Sequence, residues 1–516
     1  MVKNKMVYLK STRRDFLKLA QLLPLGLLSQ LISVDQRLPS KNEKSPNILI
    51  IVFDALSARN MSLYGYPRQT TPNIEQAANE GGTIFHRHYA SGSWTPPGTA
   101  SLLTGTYPWS HRSLHSFGTV KNPFEYQNIF AQLNSQYNTF AYSHNEFVNV
   151  LLAQFHPHID QLINRERLCL YSDHYSDKIF ENNFITFSQA EEMLFWRRDG
   201  SPSASLLLSR IKRSNRLKVG IMLNQKYEKR FPRGIPNSIL THFTIEDVTK
   251  WIETQTQIEK QPFFGYIHLL PPHHPYNTRY DFIDKFVDHW QPIQKPESVF
   301  SEQFEQDTLN EQRRHYDEFI GYVDAEFGRL FDSLKSNGIL DNTYLILTSD
   351  HGEMFERGIL MHTTPTLYEP ILHIPLIIWT PNESQRINFQ TPTSCIDLIP
   401  TIANIMNKPI PNWCEGQVLP GLGGQIDKHR SIFAVDSKEN SKYKPLNQGS
   451  IAHYTGPYKL TYYFGYDQSP NFFEFYNIET DPEELNNLYP QHPAAAKSME
   501  KELLERLSNS NQQFQR

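Results

Sequence analysis

Apolar residues gather along this chain in short unbroken blocks, and several of these blocks stop at a polar, chemically active residue. Asn47–Phe53 is continuous over strand length and predicts a central strand buried on both faces, with Asp54 at its carboxyl end. Open α/β sheets gather ligands at that end of their strands. Residues 344–347 predict a second buried strand, running into Thr348-Ser349-Asp350-His351-Gly352, and Leu376–Trp379 a third. A helical period replaces the continuous blocks over residues 316–335. There Phe319, Ile320, Val323, Phe327, Leu330, Phe331 and Leu334 fall on one face. Residues 72–80 predict another helix, closed by Gly81-Gly82. After about residue 425 the pattern changes to short strands, at 431–435, 449–454, 459–464 and 472–477, and ends in a helix over 494–507 and a polar tail.

The run Ser93-Trp94-Thr95-Pro96-Pro97-Gly98-Thr99 through Gly105 predicts a helix with Thr95 as its N-cap, Pro96 at the first helical position and Gly105 just past the end. A helix N-terminus concentrates partial positive charge and free N–H groups, which favours an anion or a hydroxyl on its way to an alkoxide.

The chain has 516 residues, enough for one large domain and a smaller one. A formal net charge of -4 argues against nucleic-acid binding, which draws on a basic surface. Three cysteines, Cys169, Cys395 and Cys414, allow at most one disulfide and fit no zinc motif. Ser11-Thr12-Arg13-Arg14-Asp15-Phe16-Leu17-Lys18 matches a twin-arginine export signal, followed by an apolar stretch over residues 19–33. That stretch is shorter than the ~20 residues of a spanning helix and has no clear cleavage site, so it is read as a signal or a retained membrane anchor. The expected location is periplasmic or extracellular. The domain plan is then 1–33 signal, 34–45 linker, 46–425 catalytic domain with a variable insertion at 150–250, and 426–516 small C-terminal domain.

Taken in order, Ser45 to Asp54, Tyr64-Gly65-Tyr66, Thr71-Pro72-Asn73-Ile74, Gly82-Thr83-Ile84-Phe85 and Leu102-Leu103-Thr104-Gly105-Thr106-Tyr107-Pro108 resemble the sulfatase family of the alkaline phosphatase superfamily. The resemblance covers roughly residues 45–490. It implies an α/β fold, a large mixed sheet sandwiched by helices, with a smaller C-terminal α+β domain. It also maps metal ligands onto Asp54, Asp350 and His351, with the Thr95 oxygen completing a site for one divalent cation. Carboxylate and hydroxyl oxygens suit Ca or Mg, while the imidazole moves the balance toward Mn or Zn.

The departures are specific. The family's Cys or Ser, converted to formylglycine within Cys/Ser-x-Pro-x-Arg, is here Thr95, and the Arg is Thr99, so no formylglycine is expected. Ala55 stands where a second acidic residue normally follows the first. Thr at the nucleophile position resembles the phosphoethanolamine and phosphoglycerol transferase branch, in which the Thr oxygen itself attacks. Pro271-Pro272-His273-His274-Pro275-Tyr276 resembles the family's Pro-His-x-Pro-Tyr loop, which implies that His273 meets the leaving group, and His362 falls at another substrate-binding His. His268 and His274 are read as bystanders. His144 and Asn145 lie where relatives carry a Lys-x-His pair, with Tyr142 in place of the Lys.

Thr95, His273 and His362 are therefore the expected catalytic groups, and His144 and Asn145 the expected substrate contacts. The reading is a metal-dependent hydrolase of sulfate or phosphate esters, acting on a sulfated or phosphorylated small molecule or glycan. Two alternatives stay open: a phospho-headgroup transferase, and an inactive binding protein that keeps the fold.

Overall fold

The computed structural model describes residues 45–116, 118–171, 207–238, 241–260, 262–438 and 440–514. The export motif, its apolar stretch and nearly all of the linker lie outside them. Among the described residues no helix is long and apolar enough to cross a membrane.

An eight-stranded sheet organises the chain. Its strands are β1 (Asn47–Phe53), β2 (Gly82–Phe85), β3 (Asn138–Ser143), β4 (Gln161–Leu162), β5 (Phe263–Leu269), β6 (Thr343–Thr348), β7 (Leu376–Trp379) and β8 (Ile387–Phe389). The spatial order is β8-β2-β7-β6-β1-β5-β3-β4. β1 lies parallel between β5 and β6, and β5 is parallel to β3; β7 runs against its neighbours β6 and β2. The carboxyl ends of β1, β3, β5 and β6 therefore open on one side.

Strand periodicity divides the apolar run of β1 between two cores. Leu49, Ile51 and Phe53 face a layer built by helix Gln306–Ser336, through Phe319, Ile320, Val323, Phe327 and Leu330. Ile48, Ile50 and Val52 face Leu102, Leu103, Phe130 and Ile402 on the other side. Each residue of β1 is buried, as its unbroken hydrophobicity requires. Helix Gln306–Ser336 starts ten residues before the periodic segment because its first turns expose polar side chains and bury little beyond Leu309.

Residues 432–477 form a four-stranded antiparallel sheet, Ile432–Asp436, Gly449–Thr455, Tyr458–Phe464 and Phe472–Asn477. Helix Ala494–Gln512 packs Met499 and Leu503 into the same cluster as Ile451 and Leu460. The polar tail expected from residue 508 instead continues this helix. Arg112 donates to the Ser510 carbonyl, and its guanidinium lies 4.0 Å from the Phe514 ring.

This smaller layer is tied to the main body by a buried ionic knot. Lys459, fully buried, places Nζ 2.7 Å from Glu484 and 3.2 Å from Glu369. The Tyr454 hydroxyl donates to Glu369, and Glu484 accepts from the Glu369 backbone N–H. Burial pushes the Glu369 carboxyl up, but the Lys459 charge and the Tyr454 hydroxyl outweigh it and hold it below the ordinary range. A carboxyl depressed by folding adds stability above its unfolded pKa, and that stability is lost as pH falls through the folded value. Lys459→Met should strand two buried carboxylates and cost about 3–5 kcal/mol in chemical denaturation. The difference from wild type should shrink as pH drops below ~4, where the carboxyls take up protons.

Candidate active site

Four imidazoles, two buried carboxylates and one hydroxyl meet at the carboxyl edge of β1, β5 and β6. Asp54 follows β1, His268 is the penultimate residue of β5, and Asp350 and His351 form the turn after β6. All four residues are 0 % exposed. Ligand atoms of Asp54, His268 and Asp350 lie within 4.8 Å of one another. His268 Nε2 is 3.3 Å from Asp54 Oδ2 and 3.7 Å from Asp350 Oδ2. His351 Nε2 lies 3.6 Å from Asp54 Oδ1 and 3.6 Å from Asp350 Oδ2. Thr95 Oγ1 is 3.3 Å from that same His351 nitrogen.

Backbone economy makes the cluster rigid. The β6 turn is held to β1 by Ser349, whose hydroxyl lies 2.6 Å from the Phe53 carbonyl and accepts from the Leu56 N–H. Asp350 Oδ1 accepts from the N–H groups of Ala55 and His351. Ala55 adopts a left-handed φ of 59°, and its carbonyl accepts from the Tyr316 hydroxyl on the long helix. Helix Thr95–Thr104 reaches the turn because Gly98 has no side chain: a Cβ there would come within 2.3 Å of the Asp350 carbonyl oxygen. The cap position itself belongs to Trp94, in extended conformation, and Thr95 opens the helix. The Thr95 hydroxyl points into the cluster instead of capping a backbone N–H.

Asp54 Oδ1, Asp350 Oδ2 and His268 Nε2 are buried and have no hydrogen-bond partner. Buried charged groups left this way are costly unless a cation meets them. Burial raises the Asp54 carboxyl, but the His268 imidazole 3.3 Å away and the charges of the neighbouring imidazoles outweigh it and hold it low. Asp350 is raised, by burial and then by the Asp54 charge. Two facing carboxylates split in this way want a shared positive charge. This donor set, carboxylate and imidazole, fits one divalent ion.

The remaining expected residues also converge here. His273 Nδ1 donates to the His274 carbonyl at 2.7 Å, and its ring packs 5.1 Å from that of His362. Burial alone would lower His273, but Asp54, then Glu353, outweigh it and raise it above the ordinary value, favouring the imidazolium. His362 behaves oppositely: burial, then the charges of His351 and His273, push it well below. Its Nδ1 lies 2.7 Å from Glu353 Oε1, and its ring is 4.2 Å from that of His351. Asn145 donates from Nδ2 to Asp54 Oδ2 at 2.5 Å while its Oδ1 caps the helix Glu146–Phe155, so it braces the carboxylate directly. His144 stacks on Phe243 at 3.7 Å, and neither ring nitrogen has a hydrogen-bond partner among the described residues. Burial holds it well below its usual pKa, hence neutral.

Three residues escaped the sequence reading. His268, set aside as a bystander, is inside the cluster, and its place at the end of an apolar strand was the same signal that marked Asp54. Glu353 carries no motif; burial lifts its carboxyl to about 8. Lys438 comes from the C-terminal unit, far away in sequence. Its Nζ lies 3.3 Å from the His362 carbonyl oxygen, 3.2 Å from Asp436 and 4.4 Å from the centre of the Trp94 ring.

The family model described as Sulfatase matches residues 46–408. The chain belongs to the sulfatase family. A second model, N-sulphoglucosamine sulphohydrolase, C-terminal, matches residues 361–513. The chain is 22% identical over 498 residues to arylsulfatase K of Xenopus laevis, covering 90% of this chain and 83% of that protein. It is 23% identical over 525 residues to N-acetylglucosamine-6-O-sulfatase of Bacteroides thetaiotaomicron, covering 96% and 90%. The fold matches the crystal structure of phosphonate monoester hydrolase of Agrobacterium radiobacter with a TM-score of 0.64 at 17% identity, covering 90% of this chain and 96% of that one. Membership makes this sulfatase-family chain an ester hydrolase, in a family whose members use a divalent metal.

A cation present at about 100 times its dissociation constant should stabilise the wild type by about 2.7 kcal/mol. Asp350→Asn should erase that increment while leaving the metal-free protein at least as stable as metal-free wild type, because an amide ends the repulsion with Asp54. Thermal denaturation with divalent salt and with chelator reads both terms.

Proposed function

We propose that this chain cleaves a sulfate or phosphate ester of a small molecule or glycan with the unmodified Thr95 hydroxyl as nucleophile. One observation carries the reading: Thr95 Oγ1 lies 3.3 Å from His351 Nε2, which is itself 3.6 Å from both buried carboxylates. Asp54, Asp350 and His351 would hold the divalent ion. When bound, the ion neutralises the ester oxygens and lowers the pKa of the Thr95 hydroxyl.

Thr95 opens a helix whose free N–H groups and dipole favour the negative charge that grows on its oxygen. Its hydroxyl gives up its proton to solvent water as Oγ forms a bond to sulfur or phosphorus and the bond to the leaving oxygen breaks. His273, raised toward the imidazolium form, gives that oxygen a proton. Water then cleaves the Thr ester and releases sulfate or phosphate. His362, held neutral and tethered to Glu353, orients the anion without competing as an acid. The glycan part of the reading draws on the relative named for an N-acetylglucosamine sulfate ester. The Ser11 to Lys18 motif supports export by the twin-arginine route; Arg13→Lys with Arg14→Lys should leave the protein in the cytoplasmic fraction.

With the enzyme loaded with divalent ion, Thr95→Ala should lower kcat by on the order of 10⁴-fold or more, and Thr95→Ser should keep most of it. Mass spectrometry of acid-quenched wild type should find the sulfo or phospho group on Thr95; formylglycine there, or turnover surviving Thr95→Ala, would refute the assignment. His273→Ala should lower kcat by about 10²–10⁴-fold for alkyl esters and much less for aryl esters with acidic leaving groups.

A further inference from the structure

The cluster holds a residue for which the family-derived ligand set has no place. We propose that His268 is a direct ligand of the divalent ion and stands in for the carboxylate missing at Ala55. Its nitrogen selects a nitrogen-accepting ion such as Mn or Zn over Ca or Mg. The inference rests on the reading that Asp54 and Asp350 hold a cation, and names what else holds it.

Geometry supports the assignment first. His268 Nε2 is 3.3 Å and 3.7 Å from the Oδ2 atoms of Asp54 and Asp350, and His351 Nε2 is 3.6 Å from the other oxygen of Asp54 and from the same oxygen of Asp350. Donors bound about 2.1 Å from a tetrahedral ion lie about 3.4 Å apart, which is the spacing observed. An ordinary hydrogen bond from imidazole to carboxylate would be shorter, near 2.7–2.9 Å. Three of these atoms, Asp54 Oδ1, Asp350 Oδ2 and His268 Nε2, are buried without a partner.

The support behind His268 is built as well. Tyr266, two residues earlier on the same face of β5 and fully buried, sets its hydroxyl 3.0 Å from His268 Nδ1. With Nδ1–H donating to that oxygen, the lone pair of Nε2 faces the carboxylates, the arrangement that orients metal-bound imidazoles. Position 55 gives the other half of the argument. Ala55 sits in a left-handed turn with its N–H on Asp350 Oδ1, so the residue after Asp54 contributes backbone and no charge. Replacing a carboxylate by an imidazole lowers the site's negative charge by one. It also softens the donor set, which disfavours Ca and Mg relative to Mn and Zn.

The test is metal binding by the full chain, read without turnover. Wild type should bind one Mn or Zn per chain by calorimetry and elemental analysis, more tightly than Ca. His268→Asn should weaken Mn and Zn binding by about 100-fold or more, a loss at least as large as removing a supporting residue causes. Ca binding should change much less. Because His268 is fully buried, circular dichroism and thermal denaturation check that the variant is folded. Pulsed electron paramagnetic resonance of the Mn-loaded wild type, which needs no variant, should show two coupled imidazole nitrogens. One nitrogen in wild type, or Mn affinity unchanged in folded His268→Asn, would overturn the His268 assignment while leaving the cation at Asp54 and Asp350. Wild type that binds no divalent ion would overturn both.

Discussion

Two fully buried carboxylates, Asp54 and Asp350, face one another across the carboxyl edge of the central sheet, and everything around them answers that charge. Taking even one carboxylate out of water costs several kcal/mol, so a pair is tolerable only with positive charge and donors arranged around it. Asn145 and the Ala55 and His351 N–H groups supply part of the compensation. What they leave unpaired points into one small space. The site stores repulsion in the metal-free state, which a bound cation would relieve. Binding of such a cation would couple affinity and folding stability through the same few atoms.

Such a cluster is useful only if it stays still. The two carboxylates ride on adjacent parallel strands, and the turn between them is locked by Ser349, Tyr316 and the left-handed Ala55. Gly98 and Gly352 serve the same end from outside. A Cβ at Gly352 would meet the Pro370 carbonyl oxygen at 2.0 Å, as one at Gly98 would meet that of Asp350. Close backbone approach, which only glycine allows, brings the Thr95 helix and its hydroxyl against the charged turn.

Charge also pushes two neighbouring histidines toward opposite protonation states. His273 and His362 are a ring apart, yet the carboxylates raise one while burial and the other imidazoles lower the other. Pairs of titratable groups pushed apart in this way assign acid and non-acid roles without any change of residue type. Lys438 adds a contribution from the C-terminal unit, which reaches over Trp94 to the backbone at His362. That unit therefore borders the site as well as stabilising the fold.

The sequence by itself determined the elements and the frame of the site. Short apolar runs of strand length bounded by polar residues fit strands covered on both faces, so β1, β6 and β7 were legible to within a residue or two, and the chemistry at their ends with them. The sevenfold apolar stripe of the long helix was equally plain, while its polar first turns carried no period and were missed. Thr95, with proline after it and glycine at the far end, marked a helix start, though the cap proved to be Trp94. What only the tertiary structure decided were relations between distant segments. A histidine on an apolar strand reads as core until β5 is seen beside β1. Glu353 reads as a surface acid until burial is known, and Lys438 belongs to another unit of the chain. Periodicity reports which face a residue shares with its neighbours; which strand lies alongside is settled by sheet order, and sheet order brought His268 to the carboxylates.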